Sequence, residues 1–329
     1  MNKKKIGNAL RDFWETSIKG MIIVVFGLYI TRFNVGIGRY ETNILFGTTA
    51  YLFLALSGLL MVKYIQNSDE KTSLHAFIMS IIMYAIGFIV TLINMAVFNL
   101  DILILIPLIV IGGLWIGLSL FASKKEKNEI VIKILMCLSF SLGLIYGASL
   151  NLVIFPIYVL VFFFTFFFLQ LSREYIKDVR DLEGIVKEKK HRIKNLRKRI
   201  KNLRKRIGSK KYQAPTKDKI KKNLKKRSVN IRLTNAQSKD LLKKSMFSQI
   251  IAIALAGGIY LTLLLTVLFK GIAYPRAFLF IMIIIYIPLI GSACLLTRGS
   301  ISNSKIPKKT GLLVSFGMLA MLMAILLSV

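Results

Sequence analysis

The chain has 329 residues, of which 55% are hydrophobic, and its mean hydropathy is +0.63. Its 47 Lys and Arg residues outnumber its 15 Asp and Glu residues, so the formal net charge is +32. This composition excludes a soluble globular domain, because the apolar residues are gathered into runs long enough for a bilayer core. We therefore expect a strongly basic, polytopic α-helical membrane protein.

Nine apolar runs are each about as long as a helix needs to cross the hydrocarbon core of a bilayer. They predict nine transmembrane helices, at residues 18–33, 43–62, 76–98, 102–121, 130–148, 150–170, 246–269, 277–297 and 311–328. Because the connections between them are short apart from one basic segment, we expect a single transmembrane domain over residues 1–329.

Lys and Arg residues are concentrated in alternate connections between the predicted spans. One set contains the N-terminal tail and the connections after the second, fourth, sixth and eighth spans. The opposite set contains only Arg32, Arg39, Lys270 and Arg276. Since cytoplasmic connections carry an excess of Lys and Arg, the chain is expected to be an integral cell-membrane protein with a cytoplasmic N-terminus and its C-terminus outside.

A charged stretch at residues 173–184 directly follows the sixth apolar run. Asp178 and Asp181 stand three residues apart, which on a helix places both carboxylates on one face. Such a pair is suited to Mg²⁺, while Arg173, Lys177 and Arg180 supply cations suited to phosphate oxygens. At a membrane edge this combination suggests a phosphorylated lipid substrate. The pattern is equally that of an ordinary helix end with ion pairs between residues three and four apart.

The charged stretch opens a basic segment, residues 173–244, that holds 28 of the 47 Lys and Arg residues and seven of the 15 acidic residues. Within it the heptapeptide Arg-Ile-Lys-Asn-Leu-Arg-Lys occurs at residues 192–198 and again at 199–205. The spacing of Ile and Leu by three and four predicts a basic, coiled-coil-like helix over residues 192–207. We expect this helix to continue the helix of the sixth span into the cytoplasm.

Three interpretations of residues 186–227 stay open. Adsorption to an anionic membrane surface is favoured, because the segment is tethered beside a membrane whose phospholipids attract Lys and Arg. A solvated, partly disordered excursion comes next. Nucleic-acid binding is disfavoured, since neither interleaved aromatic residues nor a folded reader module accompany the charge.

The charged stretch resembles the second Asp-rich motif of the UbiA superfamily of intramembrane prenyltransferases. In the archaeal lipid-synthesising branch this motif reads Arg-Glu-x-x-Lys-Asp-x-x-Asp-x-x-Gly-Asp, and the matching residues are Arg173, Glu174, Lys177, Asp178, Asp181 and Gly184. They also follow the sixth span, where the family carries the motif. The resemblance implies nine transmembrane helices around a cytoplasm-facing cavity, with residues 186–227 as a basic insertion after helix six.

The first Asp-rich motif of the family is largely substituted. Its pattern, Asn-Asp-x-x-Asp-x-x-x-Asp, falls on Val62, Lys63, Gln66 and Glu70, with Asp69 beside the last position. Lys63 is expected to neutralise a substrate diphosphate directly, as a point charge that needs no metal.

The resemblance implies Mg²⁺ as the cofactor, with Asp178, Asp181, Asp69 and Glu70 as its candidate ligands. Because most acidic positions of the first motif are missing and the closing Asp of the second is Ile185, we expect weakened binding. At most one ion should then be held, chiefly by Asp178 and Asp181.

The activity that the resemblance implies is transfer of a polyprenyl group from its diphosphate to a lipid or quinone-precursor acceptor. The archaeal-type motif favours ether-lipid biosynthesis. Asp178 and Asp181 are the implied catalytic residues, and Arg173, Lys177 and Lys63 the implied diphosphate-binding residues. The main alternative is a non-enzymatic family member that binds polyprenyl phosphate or anionic lipid without turnover. A transporter is the third alternative. It is disfavoured because charged residues are nearly absent from the predicted spans.

Overall fold

The structure is a computed structural model, and it describes the greater part of the chain. The described residues are 19–32, 36–66, 70–98, 102–123, 129–151, 157–206, 235–258, 261, 280–303 and 309–327. Among the residues of these ranges there is no β-strand. The predicted all-α class is therefore confirmed for this part of the chain.

The described helices are labelled here in chain order. They are α1 Lys19–Ile30, α2 Ile37–Gln66, α3 Glu70–Phe98, α4 Leu105–Ser123, α5 Glu129–Leu150, α6 Ile157–Arg206, α7 at residues 235–258, α8 Ile287–Asn303 and α9 Thr310–Leu327. A 3₁₀ turn, Ile102–Ile104, precedes α4, and a π-helical turn, Met282–Tyr286, runs directly into α8.

Four segments of the described helices are long and apolar enough to cross a membrane. They lie in α2, α3, α6 and α8, at Ile37–Met61, Leu74–Val97, Val159–Gly184 and Met282–Ile301. Shorter apolar segments are Gly20–Ile30, Leu105–Leu114, Met136–Leu150 and Thr310–Ala324. The chain is thus a polytopic membrane protein. The count of nine spans, their orientation, the cytoplasm-facing cavity and the single domain stay predictions.

The predicted start of the sixth span is wrong. The span predicted at residues 150–170 starts too early, because α5 continues to Leu150 and α6 begins at Ile157. Pro156 in the sequence stands immediately before α6, a position where a helix can begin but not continue. The second span was predicted to end at residue 62, and the apolar segment of α2 ends at Met61, although the helix itself extends to Gln66. Helical hydrogen bonding continues past the apolar residues, so only residues 67–69 separate α2 from α3.

The predicted continuation of the sixth span as a basic helix is confirmed for the backbone. α6 is unbroken over 50 residues, from Ile157 to Arg206. It therefore contains the charged stretch, both copies of the heptapeptide and all but the last residue of the helix predicted over residues 192–207. Residues 207–234 lie outside the described part of the chain, and they include the whole second half of the 186–227 insertion.

The described helices form two compact units. The first contains α1 to α5, α6 up to Leu171, α7 from Ile251, the π-helical turn with α8 as far as Pro288, and α9 from Gly317. The second contains α6 from Ser172, α7 up to Ile250, α8 from Leu289, and α9 up to Phe316. Each unit is described below by itself.

In the first unit, α1 and α5 cross at two glycines. A Cβ atom built on Gly27 would collide with the Leu144 carbonyl oxygen and lie 3.1 Å from Cα of Gly147. A Cβ atom on Gly147 would collide with the Val24 carbonyl oxygen and lie 3.0 Å from the Leu28 nitrogen. Small residues let helix backbones approach within a membrane, where close van der Waals packing replaces the hydrophobic driving force. The two glycines therefore permit this crossing.

A buried asparagine network closes the ends of the same two helices. Asn43 donates from Nδ2 to the Leu150 carbonyl at 2.9 Å and to Asn151 Oδ1 at 3.0 Å. Asn151 donates to the Leu28 carbonyl at 2.8 Å, and Asn94 donates to Asn43 Oδ1 at 3.0 Å. The Leu28 and Leu150 carbonyls lie in the last turns of α1 and α5, where intrahelical donors run out. The Leu28 carbonyl also accepts from the Thr31 N–H at 3.2 Å. The asparagines thus satisfy backbone groups that the bilayer cannot.

The π-helical turn before α8 has a local cause in Pro288. A proline has no N–H, and its ring crowds the carbonyl four residues earlier. The widened turn accommodates this, with the Ile287 N–H donating to the Met282 carbonyl five residues back. Tyr286 is fully buried at the turn, and its hydroxyl donates to the Ala252 carbonyl of α7 at 3.3 Å.

The glycine crossing generates a stability prediction. Gly147→Ala should lower the free energy of unfolding by about 1–3 kcal/mol, the usual cost of overpacking a well-packed contact. Gly113→Ala in α4 is the matched control, because a Cβ there meets no described atom within 4 Å. Thermal unfolding in a neutral detergent measures both. Equal melting temperatures for the two variants would show that the α1–α5 crossing is not as tight as described.

Candidate functional site

The charged stretch lies on α6 in the second unit, and its helix has a buried side. Ser172, Tyr175, Ile176 and Val179 are all buried, with spacings of three and four residues. This is the periodicity of one face of a helix. The charged residues occupy the remaining surface, and their exposure therefore follows from the apolar pattern of α6.

The charges of α6 form two adjacent stripes. The basic stripe is Arg173, Lys177 and Arg180, and the acidic stripe is Glu174, Asp178 and Asp181. Residues three and four apart on a helix are neighbours, with Cβ atoms about 5–6 Å apart. A ligand on this surface would therefore meet cations and carboxylates together.

Asp178 and Asp181 are brought to one face, as the spacing predicts, but their exposure differs. Asp178 is half-buried, whereas Asp181 is exposed. Of the basic stripe, Arg173 is half-buried and Lys177 is exposed. Asp178 and Arg173 are therefore held more closely by the protein, and Lys177 and Asp181 are free to reach outward.

A buried polar cluster, which we call the Gln249 cluster, holds α6 against α7 and α8 at the residue that precedes the charged stretch. It consists of Ser172 on α6, Ser245 and Gln249 on α7, and Thr297 on α8, none of which is exposed to solvent. Gln249 donates from Nε2 to Ser172 Oγ at 3.0 Å and to Thr297 Oγ1 at 3.3 Å. The two serine hydroxyls are 3.0 Å apart. The cluster joins three helices through side chains that all have partners.

The sequence pattern did not predict this cluster. Its available signal was the position of Ser245, Gln249 and Thr297 in or beside predicted spans, because polar side chains within apolar helices usually face a protein interior. That signal does not tell which helices are neighbours. The pairing of Ser172 with Gln249 links residues 77 positions apart in the chain.

For two of the remaining predicted site residues, Lys63 and Glu70, the structure describes the backbone but not the side chain. Lys63 lies near the end of α2 and Glu70 is the first residue of α3, in the first unit. Their side chains and the whole of Asp69 lie outside the described part of the structure. Their roles therefore stay predictions. Among the described residues, no three His, Cys, Asp or Glu residues are grouped closely enough to hold a metal ion.

The architecture is that of an all-α polytopic membrane protein, and a comparison with solved structures makes the fold more specific. The chain is similar to a solved structure of a digeranylgeranylglyceryl phosphate synthase, with a TM-score of 0.57 and 15% sequence identity. The similarity covers 97% of this chain and 98% of that one. At this identity the likeness shows a shared fold. No family model and no curated protein matches the chain.

The Gln249 cluster yields a second stability prediction. Gln249→Ala removes the amide that bonds Ser172 and Thr297, whose hydroxyls keep Ser245 and the Ala293 carbonyl as partners. The expected cost is therefore about 0.5–1.5 kcal/mol for each lost hydrogen bond. Gln237→Ala is the control, because Gln237 is an exposed residue of the same helix α7. We expect a clearly lower thermal midpoint in detergent for the first variant only. A loss of the same size in both would remove any special role for the cluster.

Proposed function

We propose that this chain is a UbiA-like prenyltransferase, which transfers a polyprenyl group from its diphosphate to a lipid or quinone-precursor acceptor. One observation carries the proposal: the motif-like charged surface of α6 directly follows an apolar span. It does so in a chain that shares the fold of a digeranylgeranylglyceryl phosphate synthase over nearly its whole length. The archaeal-type motif further favours a glycerol phosphate lipid as acceptor.

Arg173 and Lys177 of the basic stripe would bind the diphosphate. A prenyl diphosphate ionises when the negative charge that develops on its departing diphosphate is neutralised. Arg173 is half-buried and presents a planar fork of donors suited to phosphate, and Lys177 is an exposed point charge one turn further along. Lys63 would add a third cation. These side chains would bind and orient the diphosphate.

Asp178 and Asp181 of the acidic stripe would hold one magnesium ion. Mg²⁺ is usually held by one or two carboxylates and completes its octahedron with water and substrate phosphates. Asp178 and Asp181 provide two carboxylates on one face, and Asp69 with Glu70 would be further candidates. When bound, the ion would supply Lewis-acid stabilisation of the departing diphosphate. The substituted first motif supports our expectation that such binding is weakened.

The membrane part of α6 offers an apolar, aromatic environment for the prenyl chain. Phe162, Phe163 and Phe166 are buried, whereas Phe164 is exposed. An allylic cation must be kept from water, and aromatic ring faces stabilise cations. The buried phenylalanines would exclude water from the reacting carbon.

A second candidate function is supported by the substituted first motif. Val62, Lys63 and Gln66 stand where the family carries its carboxamide and carboxylates. A chain without these ligands would bind a polyprenyl phosphate through its cations and release it unchanged. Binding without turnover distinguishes this candidate from the enzyme.

The assignment of Asp178 is tested by turnover. We expect Asp178→Asn to slow transfer from a radiolabelled prenyl diphosphate by about 100-fold or more, the usual effect of removing one group that stabilises charge in a transition state. Asp240→Asn is the matched control, since Asp240 lies on α7 with 61% of its side chain exposed and pairs with Lys244 at 2.7 Å.

The same experiment separates the two candidates. Equal turnover for Asp178→Asn and the parent chain would refute the catalytic assignment. A parent chain that retains the labelled diphosphate without any transfer would instead favour the binding protein.

A further inference from the structure

One face of α7 is exposed in the second unit. It includes Lys239, Lys243, Phe247 and Ile250, which are spaced by three and four residues as on one side of a helix. We call these four residues the α7 stripe. Phe247 is 64% exposed and Ile250 is 46% exposed. The stripe therefore changes from cationic to apolar between Lys243 and Phe247, within about 6 Å of helix rise.

This change on α7 lies at the same level as a change on α6. Ser245 stands within the same turn of α7, and its hydroxyl oxygen lies 3.0 Å from that of Ser172 on α6. On α6 the apolar run ends at Leu171 and the charged stretch begins at Arg173. Two helices thus pass from apolar to charged residues where a hydrogen bond joins them. Such a change marks the boundary between the hydrocarbon core and the headgroups.

The two lysines of the α7 stripe lack a counter-charge. Lys239 and Lys243 make no ion pair with any residue in the described ranges. Asp240 is the only carboxylate between residues 235 and 258, and it pairs with Lys244 at 2.7 Å. Like charges four residues apart on a helix repel each other. The stripe therefore keeps a net positive charge directly beside its apolar residues.

The order of charges and apolar groups on the stripe matches that of a phospholipid. An anionic phospholipid carries its phosphate above its acyl chains, and the stripe presents two ammonium groups above Phe247 and Ile250. The long stem of a lysine lets the ammonium reach the headgroup level while its methylene groups cover apolar surface. An acidic protein segment would neutralise the lysines but would leave the apolar half of the stripe to lipid.

We propose that the α7 stripe binds an anionic phospholipid of the surrounding membrane. The phosphate lies against Lys239 and Lys243, and the acyl chains lie against Phe247 and Ile250. Because lysines are point charges without the planar fork of arginine, the stripe selects negative charge and not one particular headgroup. None of its residues is assigned to prenyl transfer, so the proposal stands whether or not the chain is a transferase.

The test uses the purified full chain in nanodiscs, with a tryptophan reporter on the stripe. Trp14→Phe and Trp115→Phe remove the two tryptophans of the chain, and Phe247→Trp introduces the reporter. The nanodiscs contain phosphatidylcholine and phosphatidylglycerol, with one lipid or the other brominated, because bromine quenches tryptophan fluorescence at close range. Comparing the two quenching curves gives the preference for phosphatidylglycerol at position 247.

A second reporter position separates the stripe from general attraction. The net charge of +32 enriches anionic lipid around the whole chain. Ile93→Trp in the same background measures this enrichment, since Ile93 is a 46% exposed residue of α3. We expect a preference at position 247 at least about fivefold above that at position 93, because each lysine beside an anionic surface contributes roughly this factor. Added salt should reduce the difference.

Charge variants locate the effect. Lys243→Gln should lower the preference at position 247 about fivefold, whereas Lys243→Arg keeps the charge and should retain it. Lys309→Gln is the matched control, because it removes one exposed charge from α9 and should change nothing. Lys239→Gln combined with Lys243→Gln should bring the preference down to that at position 93.

Three results would overturn the proposal. The first is an equal preference at positions 247 and 93, and the second is a preference that survives the loss of both lysines. The third is a reporter at position 247 that neither brominated lipid quenches. That last result would show that protein, such as a second copy of this chain, covers the stripe in place of lipid.

Discussion

The structure depends on one constraint: polar groups between membrane helices must find their partners within the protein. In the first unit Asn43 and Asn151 complete the ends of α1 and α5. In the second unit Gln249 joins α6, α7 and α8 through hydroxyl groups that have no access to water. Because lipid is as apolar as leucine, such clusters, together with close glycine contacts, select which helices become neighbours.

The consequence for function lies on α6. Its apolar part forms a membrane span, its next residue, Ser172, belongs to the Gln249 cluster, and the charged stripes begin at Arg173. The Gln249 cluster therefore holds α6 at the point where its apolar part ends and its cations and carboxylates begin. A prenyl diphosphate has the same division, with an apolar chain and a charged head. This correspondence, supported by the shared fold, is the physical basis of the proposed transfer activity.

Composition and periodicity predicted the class of the fold, the place of the charged stretch and the continuation of α6 as a basic helix. These features are local, so a window of sequence contains their cause. The Gly27–Gly147 crossing and the Gln249 cluster were missed because each joins residues far apart in the chain. The start of the sixth span was misplaced because the apolar run continues from α5 into α6, so hydropathy does not mark the break between these two helices. The contributions of Lys63, Asp69 and Glu70 stay predictions.

The most direct measurement of the central claim is an experimental structure with a prenyl thiodiphosphate, which resists cleavage, and Mg²⁺. The account predicts a diphosphate within hydrogen-bonding distance of Arg173 and Lys177. It also predicts one Mg²⁺ at about 2.0–2.1 Å from carboxylate oxygens of Asp178 and Asp181, the distance usual for this ion. A diphosphate bound elsewhere, with both carboxylates facing solvent and no ion between them and the ligand, would contradict the account.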